Sequence, residues 1–348
     1  MHTHANQRAP MGARKSRTRR LAKVALTALV AGLPVIGAAG VASPALAQSP
    51  AASRYQFRTI DNPADPTFNQ LLGINQEGLI AGYFGSGLQG HPNQGYLLFA
   101  RHGRQRYLSE NFPGSVQTQV TGINDRGVTV GFWSSMNNAG VNGAAPVDDN
   151  RAFVSYRGRF ISGDFPTANP AVPPVDQLLG VNDRAIAVGF YVDGDGNTHA
   201  YKYDIRHNAF SEVTPTVVTG PTAAGINNRG DIAGFGTDAT NDATNGQTVG
   251  YLLRRDGQQT VLAVPGATMT QALGINDRDE VVGVYQTPDG NQHGFTWTPS
   301  NGFQTMVDDP NAATATTING LNDEGQLVGF YTDANNNTHG LLATPHHH

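Results

Sequence analysis

A ten-residue pattern that recurs six times constrains the fold of this chain more than any other feature of its sequence. Each copy has a Gly, an aliphatic residue and an Asn, then a polar turn, then an apolar run that ends in a second Gly. Successive copies start 49, 58, 45, 49 and 46 residues apart. A period near 50 indicates units that bury a core only by packing on one another. The copies span residues 73–82, 122–131, 180–189, 225–234, 274–283 and 320–329.

The residues of one copy predict four short strands and no helix. In the fifth copy the runs 270–276, 280–286, 293–298 and 303–307 are rich in β-branched and aromatic residues, and Gly, Asn, Asp and Pro separate them. This alternation is typical of an antiparallel sheet. The Asn of each copy is predicted to begin a hairpin turn and to bond nearby amides. Four copies have Gly at the sixth position, which indicates a positive φ, so Ala185 and Asp279 predict strained turns or turns of another type.

The two ends of the chain together complete one copy. The sixth copy stops after its third strand, and an unmatched strand-like run, residues 55–60, precedes the first copy. We therefore predict an all-β fold over residues 54–345: a six-bladed β-propeller of four-stranded antiparallel blades, closed by the N-terminal strand, which completes the last blade. An open solenoid is the alternative, but it would call for capping repeats.

The pattern resembles the HAF-type extracellular repeats of bacterial exported proteins. The resemblance rests on the Gly-Ile-Asn turn, on the Gly-aromatic end of the apolar run, and on third strands that open with His199, His293 and His339. Copies one, two and four depart from it at the last element, where Gln94, Arg151 and Val249 stand. It covers residues 54–345 and implies an exported β-propeller-like protein, without implying a particular activity.

The N-terminus has the pattern of a signal peptide. A basic stretch precedes an apolar run, residues 24–41, which Gly and Pro interrupt, and Ala45-Leu46-Ala47 has the small-x-small form of a cleavage site. We expect residues 1–47 to be removed on export, by the general or the twin-arginine route, rather than to anchor the chain. Residues 48–53 are then a linker and residues 346–348 a His tail. The mature chain would be a secreted or periplasmic bacterial protein without a membrane span.

Removal of this segment makes the chain strongly acidic. Residues 1–47 hold seven of the 23 Lys and Arg and none of the 27 Asp and Glu, so 16 positive residues face 27 negative ones, a net charge of −11. Nucleic acid is therefore excluded as a partner, whereas cations or neutral glycans are compatible. The chain has no Cys. Its core and the closure of its sheets must therefore stabilise it without disulfides, and we expect a monomer.

The long insertions are predicted to decorate one face of the propeller. They fall between the second and third strands and between copies, and these connections emerge on the same side. Functional sites usually lie on such variable loops over a rigid frame. One candidate site there is a polar ring, three residues before each first Gly, which could bind a polar ligand or bond neighbouring blades. Its members are Gln70, Gln119, Gln177, Thr222, Gln271 and Thr317.

Two further candidate sites on this face could bind a metal. Asp193, Asp195 and Asn197 match the opening of a calcium loop, and residues 289–291 and 333–337 match it less well. A plain hairpin explains these residues as well. His199, His293 and His339 would form a metal site if they converged. Otherwise each packs over the loops of its own blade. Calcium is the one cofactor that the sequence suggests.

Two functions from different classes remain open. The first is a non-catalytic exported propeller that binds a ligand, glycan or protein on its loop-decorated face. The alternative is an extracellular hydrolase or lyase acting on a polysaccharide or ester, with a divalent cation held by the Asp and Asn loops. The sequence lacks a Gly-x-Ser-x-Gly elbow and a Cys nucleophile. An enzyme would need carboxylates, or a His–carboxylate pair, converging in one pocket. A structural surface protein is a third possibility.

Overall fold

The computed structural model describes residues 54–88, 90–101, 104–136, 148–240, 244 and 246–346. The predicted signal peptide and linker, and the last two residues of the His tail, lie outside the described residues. The described part of the chain is all-β, with 24 strands in chain order. It contains no helix long and apolar enough to cross a membrane.

Each copy of the repeat contributes strands in the predicted order. In the first three copies these are β2 (Asn69–Ile74), β3 (Leu79–Phe84), β4 (Gln94–Arg101) and β5 (Arg104–Ser109); β6 (Gln117–Ile123), β7 (Val128–Ser134), β8 (Arg151–Tyr156) and β9 (Arg159–Ser162); and β10 (Asp176–Val181), β11 (Ile186–Val192), β12 (Thr198–Asp204) and β13 (Ala209–Val213).

The remaining copies follow the same order, and the last of them is shared between the two ends of the chain. Their strands are β14 (Val218–Ile226), β15 (Ile232–Asp238), β16 (Thr248–Leu253) and β17 (Gln259–Leu262); β18 (Met269–Ile275), β19 (Val281–Gln286), β20 (Gln292–Thr298) and β21 (Gly302–Thr305); and β22 (Ala315–Leu321), β23 (Leu327–Thr332), β24 (Thr338–Pro345) and β1 (Tyr55–Thr59).

Within a copy the strands pair antiparallel with their chain neighbours. The first three copies form separate four-stranded sheets, such as β2-β3-β4-β5. The other copies are joined into one 12-stranded sheet by single parallel bridges, Thr248 to Met269 and Gln292 to Ala315. The predicted four-stranded antiparallel unit is therefore confirmed. β1 pairs antiparallel with β24 from Tyr55–Pro345 to Thr59–Leu341, so the first described strand lies beside the last.

Close contacts between glycines bring the first strands of the copies around one axis. A Cβ atom on Gly73 would lie 3.1 Å from the Cα atom of Gly122, and one on Gly320 would lie 3.3 Å from the Cα atom of Gly73. The intervening first strands approach one another in the same way, so the ring is closed. Only a residue without a side chain fits where two backbones come this near. The ring consists of Gly73, Gly122, Gly180, Gly225, Gly274 and Gly320.

The hydrophobic core lies between neighbouring copies rather than inside any one of them. One cluster joins Val130 of the second copy to Leu178 and Tyr201 of the third. Another joins Val328 of the last copy to Leu71 of the first. Both faces of a sheet are therefore buried against its neighbours, as expected for units that cannot fold alone.

The Gly-x-Asn pattern forms one kind of hairpin turn in every copy. In the first copy the amide of Gly78 donates to the carbonyl oxygen of Asn75 (3.0 Å), and Oδ1 of Asn75 accepts from the amides of Glu77 and Leu79 (3.1 and 2.9 Å). The sixth residue has a positive φ in each copy, including Ala185 (62°) and Asp279 (65°). Of the two alternatives predicted for these residues, the structure therefore shows strain, in a turn of the same type as in the other copies.

Candidate functional site

The antiparallel strand order separates the connections onto two ends of the molecule. The turn face carries the Gly-x-Asn turns and the turns between third and fourth strands. The loop face carries the connections between second and third strands and those between copies. Neighbouring loop-face segments bond to one another: the amide of Thr118 donates to the carbonyl oxygen of Asn93 (2.9 Å), and the amide of Thr338 to that of Thr67 (3.0 Å).

On the turn face, six asparagines form a closed ring of hydrogen bonds. The Nδ2 atom of each Asn donates to the carbonyl oxygen of the corresponding Asn in the next copy. Asn75 donates to Asn124 (3.2 Å), and the last member, Asn322, donates back to Asn75 (3.2 Å). Each side chain thus caps its own turn and ties it to the next copy. The members are Asn75, Asn124, Asn182, Asn227, Asn276 and Asn322.

The residue after each Asn forms a second closed ring. Its side-chain oxygen accepts the amide hydrogen of the corresponding residue in the preceding copy. The amide of Gln76 donates to Oδ1 of Asp125 (2.8 Å), and the amide of Asp323 donates to Oε1 of Gln76 (3.0 Å). Nothing in the sequence interpretation anticipated this ring, although every copy has Gln, Asp or Asn at the position. The members are Gln76, Asp125, Asp183, Asn228, Asp277 and Asp323.

A central cavity of about 120 Å³ is lined by the second ring, by every asparagine of the first ring except Asn322, and by the residue before each ring glycine. Leu occupies that last position in copies one, three and five, and smaller or polar residues occupy it in the others: Leu72, Thr121, Leu179, Ala224, Leu273 and Asn319. At the mouth, partial burial raises the pKa of Asp125, and the carboxylates of Asp183 and Asp323 raise it further. The mouth therefore brings like charges close together.

The polar ring predicted from the sequence lies in the interior. Gln70 is fully buried, and its Oε1 accepts from the Tyr83 hydroxyl (2.8 Å). Nε2 of Gln119 donates to Oδ1 of Asn93 (2.7 Å). Nε2 of Gln70, Oε1 of Gln119 and Oε1 of Gln177 are buried without a hydrogen-bond partner in the described part of the chain. Thr222 and Thr317 are also buried, and Gln271 is partly so.

The predicted calcium loop is a hydrogen-bonded hairpin. Oδ1 of Asp193 accepts from the amides of Asp195 and Asn197, each at 2.9 Å. Its Oδ2 accepts from Nδ2 of Asn197 (3.0 Å) and lies 2.9 Å from Nε2 of His199. The hydrogen bond to His199, then those from Asn197, lower the pKa of Asp193. Both carboxylate oxygens already have partners, which a cation would have to replace.

The three predicted histidines do not converge, because each pairs with aspartates beside its own strand. His199 pairs with Asp193, and Nδ1 of His293 lies 2.7 Å from Oδ2 of Asp308. His339 lies between two carboxylates, with Nδ1 2.8 Å from Asp61 and Nε2 3.2 Å from Asp333. Across the described residues, no group of three or more His, Cys, Asp or Glu is spaced to hold a metal ion.

The two faces differ in how far their negative charge is balanced. Not one Lys or Arg occurs in the sequence of the loop-face connections, whereas carboxylates are frequent there. The described acidic residues of these connections are Asp61, Asp65, Glu110, Asp148, Asp149, Asp164, Asp193, Asp195, Asp289, Asp308, Asp309 and Asp333. The turn-face connections contain ten Asp and Glu as well, but there they are nearly balanced by Arg126, Arg157, Arg184, Arg206, Arg229, Arg254, Arg255 and Arg278. The amino-acid composition does not reveal this difference in charge, because a residue can be assigned to a face only once the strand ends are known.

The buried carboxyl group of Asp176, at the start of β10, has a raised pKa. The hydroxyl of Tyr201 donates to Oδ1 of Asp176 (2.6 Å), and the amide of Phe165 donates to Oδ2 (2.6 Å). Burial is the main cause that raises the pKa of Asp176, to about 8, although both hydrogen bonds oppose it. Asp176 is therefore largely neutral below that pH.

Neither a protein-family model nor a curated protein sequence matches this chain. Among solved structures it is similar to streptogramin B lyase (10% identity, 85% of this chain and 100% of that chain, TM-score 0.44). It is also similar to YjhT (11% identity, 82% and 97%, TM-score 0.49). A third is the β-propeller domain of the Trilobed protease from Pyrococcus furiosus (9% identity, 80% and 94%, TM-score 0.43). Its own four-stranded antiparallel sheets, whose first strands meet around one axis, give the chain a β-propeller fold. These likenesses concern the fold alone.

Proposed function

We propose that this chain is an exported, six-bladed, HAF-type propeller that binds, without catalysis, a positively charged segment of a protein on its loop face. Six blades are supported by the two closed rings of hydrogen bonds, in which each copy contributes one member. Closure by the N-terminal strand is supported by the pairing of β1 with β24. Export is supported by the pattern of residues 1–47.

The charge of the loop face is the observation that carries this proposal. Its connections bear carboxylates and no Lys or Arg. Fixed charges of one sign raise the local concentration of ligands of the opposite sign and accelerate their association. The net charge of the mature chain is therefore concentrated where the longest connections lie.

The connections themselves vary over a constant frame. Those between second and third strands cover residues 193–197, 287–291 and 333–337 in the three compact copies, but 85–93, 135–150 and 239–247 in the others. Loops of unequal length on a rigid scaffold suit a binding surface, because they change shape without disturbing the core. The part of 135–150 at residues 137–147 lies outside the described residues.

Titration of the mature chain with a lysine-rich peptide, and with a glutamate-rich peptide of equal length, tests the proposal. We expect the basic peptide alone to bind, and its affinity to fall as salt rises. Asp195→Asn with Asp289→Asn, both exposed on the loop face, should weaken binding. Asp256→Asn with Glu324→Gln removes the same charge from the turn face and should not. Equal effects of the two pairs, or no binding of the basic peptide, would reject the proposal.

A hydrolase or lyase remains the second candidate, and the pair His293–Asp308 is the observation that favours it. A carboxylate 2.7 Å from a histidine is the arrangement that orients a general base. Turnover of ester and polysaccharide substrates by the mature chain, abolished in His293→Gln, would support catalysis. Turnover that His293→Gln leaves unchanged would reject a role for this pair.

A further inference from the structure

A second cavity lies on the turn face, away from the axis, between the turns of the third and fourth copies and the β16–β17 hairpin. It is a shallow cavity, widely open to solvent, with a volume of about 670 Å³. Four of its seven lining residues are arginines, on a protein whose mature form is strongly acidic. The lining consists of Arg184, Arg229, Asp231, Arg254, Arg255, Asp256 and Gln258.

Two of the arginines are fixed by an ion network. Nε of Arg229 and Nη1 of Arg254 contact Oδ2 of the buried Asp231, at 3.1 and 3.2 Å. Both guanidinium groups also bond to Oδ1 of Asp279 in the next copy. Each of the two carboxylates thus bonds to both guanidinium groups. These bonds hold the side chains that form this wall of the cavity in one arrangement.

The other two arginines lack such a countercharge. Arg184 and Arg255 are exposed, and within the described residues neither guanidinium has an acidic or hydrogen-bonding partner. The backbone of Arg255 is nonetheless anchored, since its amide donates to Oδ1 of Asp231 (3.0 Å). Its side chain passes the turn of the fourth copy, where a Cβ atom on Gly230 would lie 3.6 Å from its Cδ atom. Two available guanidinium groups therefore border one preformed cavity.

We propose that this cavity binds a sugar acid, with the carboxylate held by Arg184 and Arg255 and the hydroxyls by Asp256 and Gln258. The planar guanidinium fork matches the two oxygens of a carboxylate. Asp256 and Gln258 supply the acceptors and donors that hydroxyl groups need. The volume exceeds what a simple inorganic anion fills. This site stands apart from the binding proposed for the loop face, because it lies on the opposite face and selects the opposite charge.

Calorimetric titration of the mature chain with glucuronate, glucose and inorganic sulfate at low ionic strength tests the site. We expect glucuronate to bind, glucose not to bind, and added salt to weaken the binding. Arg184→Gln with Arg255→Gln should reduce glucuronate affinity at least about tenfold, as the loss of a charge-assisted pair implies. Arg126→Gln with Arg278→Gln is the matched control, because Arg126 and Arg278 occupy the position of Arg184 in other copies but do not line the cavity.

Three results would overturn the proposal. Glucose binding as tightly as glucuronate would show that the carboxylate is not recognised. Undiminished glucuronate affinity in Arg184→Gln with Arg255→Gln would place the ligand elsewhere. Sulfate binding as tightly as glucuronate, at the same arginines, would show a site for any anion rather than for a sugar acid. All four arginines of these pairs are exposed, so thermal unfolding should confirm that the variants fold.

Discussion

The side-chain amide of Asn322 in the last copy donates a hydrogen bond to the main-chain carbonyl oxygen of Asn75 in the first, at 3.2 Å. This bond joins residues at the two ends of the repeat array and closes a ring that the other asparagines build copy by copy. The turn face is therefore tied around its whole circumference by groups that are themselves buried. Such buried side-chain bonds stabilise a fold most when every member has its partner.

Asn182→Ala should lower the free energy of unfolding by about 2–4 kcal/mol, because it removes a turn cap and an inter-copy bond together. Its Oδ1 accepts from the amides of Arg184 and Ile186, and its Nδ2 donates to the carbonyl oxygen of Asn227 (2.9 Å). Urea unfolding measures the change. Asn335→Ala, at an exposed hairpin position, should stay within about 0.5 kcal/mol. Equal losses in both variants would contradict a special role for the ring.

Ala185→Gly should raise the free energy of unfolding by about 0.5–1 kcal/mol, because a positive φ strains Ala but not Gly. Gly127→Ala, at the same position of the second copy, should lower it by about 1 kcal/mol. A Cβ atom on Gly127 would meet no other atom within 4 Å, so strain rather than a clash is tested there. Urea unfolding of both variants should give changes of opposite sign. A loss of stability in both would disprove the interpretation.

Asp176→Asn should remove a pH dependence of stability. Burial raises the folded pKa of Asp176 from 3.8 to about 8. Between these values the unfolded chain releases a proton that the folded chain keeps, so stability falls as pH rises. We expect Asp176→Asn to be more stable than the parent at pH 8, by a margin that shrinks towards pH 4. Urea unfolding at several pH values checks this, with the exposed Asp256→Asn as the control. The same slope in parent and Asp176→Asn would contradict the assignment.

His339→Gln should destabilise the protein more at pH 5.5 than at pH 9. Burial lowers the pKa of His339, but hydrogen bonds to Asp61 and then Asp333 outweigh it, so the net shift is upward. The stabilisation is therefore fully present below the unfolded pKa near 6.5 and is lost as pH rises through the higher folded value. We expect a loss of about 1 kcal/mol at pH 5.5. His207→Gln is the control.

The control differs from His339 in exposure rather than in chemistry. His207 also lies beside an aspartate, Asp204, but its side chain is 77% exposed against 16% for His339. Water and salt screen an exposed pair, so His207→Gln should change stability little at either pH. Thermal unfolding at both pH values measures the two variants. Equal pH dependence in His339→Gln and His207→Gln would show that the buried pairs contribute nothing specific.

Calcium should leave the melting temperature of residues 48–345 unchanged relative to chelator. The oxygens of Asp193 already accept hydrogen bonds from the backbone and side chains of their own loop. Calorimetry or circular dichroism in calcium and in chelator makes the measurement. A rise of several degrees that disappears in Asp193→Ala with Asp195→Ala would contradict this and establish a calcium site in the third copy.

The strands and hairpins were predictable because their causes are local. Gly73 and Asn75 recur at fixed spacing in every copy, and the side chain of Asn75 fixes its turn through bonds to residues nearby in the chain. The partner of the Asn75 amide, Asn124, was not predictable in the same way. That bond depends on how far one copy is rotated against the next, which packing of the whole ring decides.

The surroundings of the candidate site residues were even harder to predict from the sequence. His339 and Asp333 are close in sequence, but Asp61, the other partner of His339, comes from the opposite end of the chain. The position of Gln70 in its strand predicts a place on the loop face, whereas its burial depends on how the neighbouring segments pack over it. Residue type and spacing therefore identified candidates, and only the fold determines their surroundings.

The ring of glycines limits how the copies can come to differ from one another. A methyl group on Gly180 would meet the carbonyl oxygen of Ala224 at 2.8 Å and the Cα atom of Gly225 at 3.2 Å, so the obstacle belongs to the next copy. A substitution there is felt by two units at once, and no single copy can change independently at that position. The bonds between neighbouring loop-face segments, such as Thr118 to Asn93, do not fix the lengths of the loops, and these lengths differ among the copies. The copies can therefore diverge most easily in their loop-face connections. Substitutions there can change what the protein binds without altering the packing of the glycine ring.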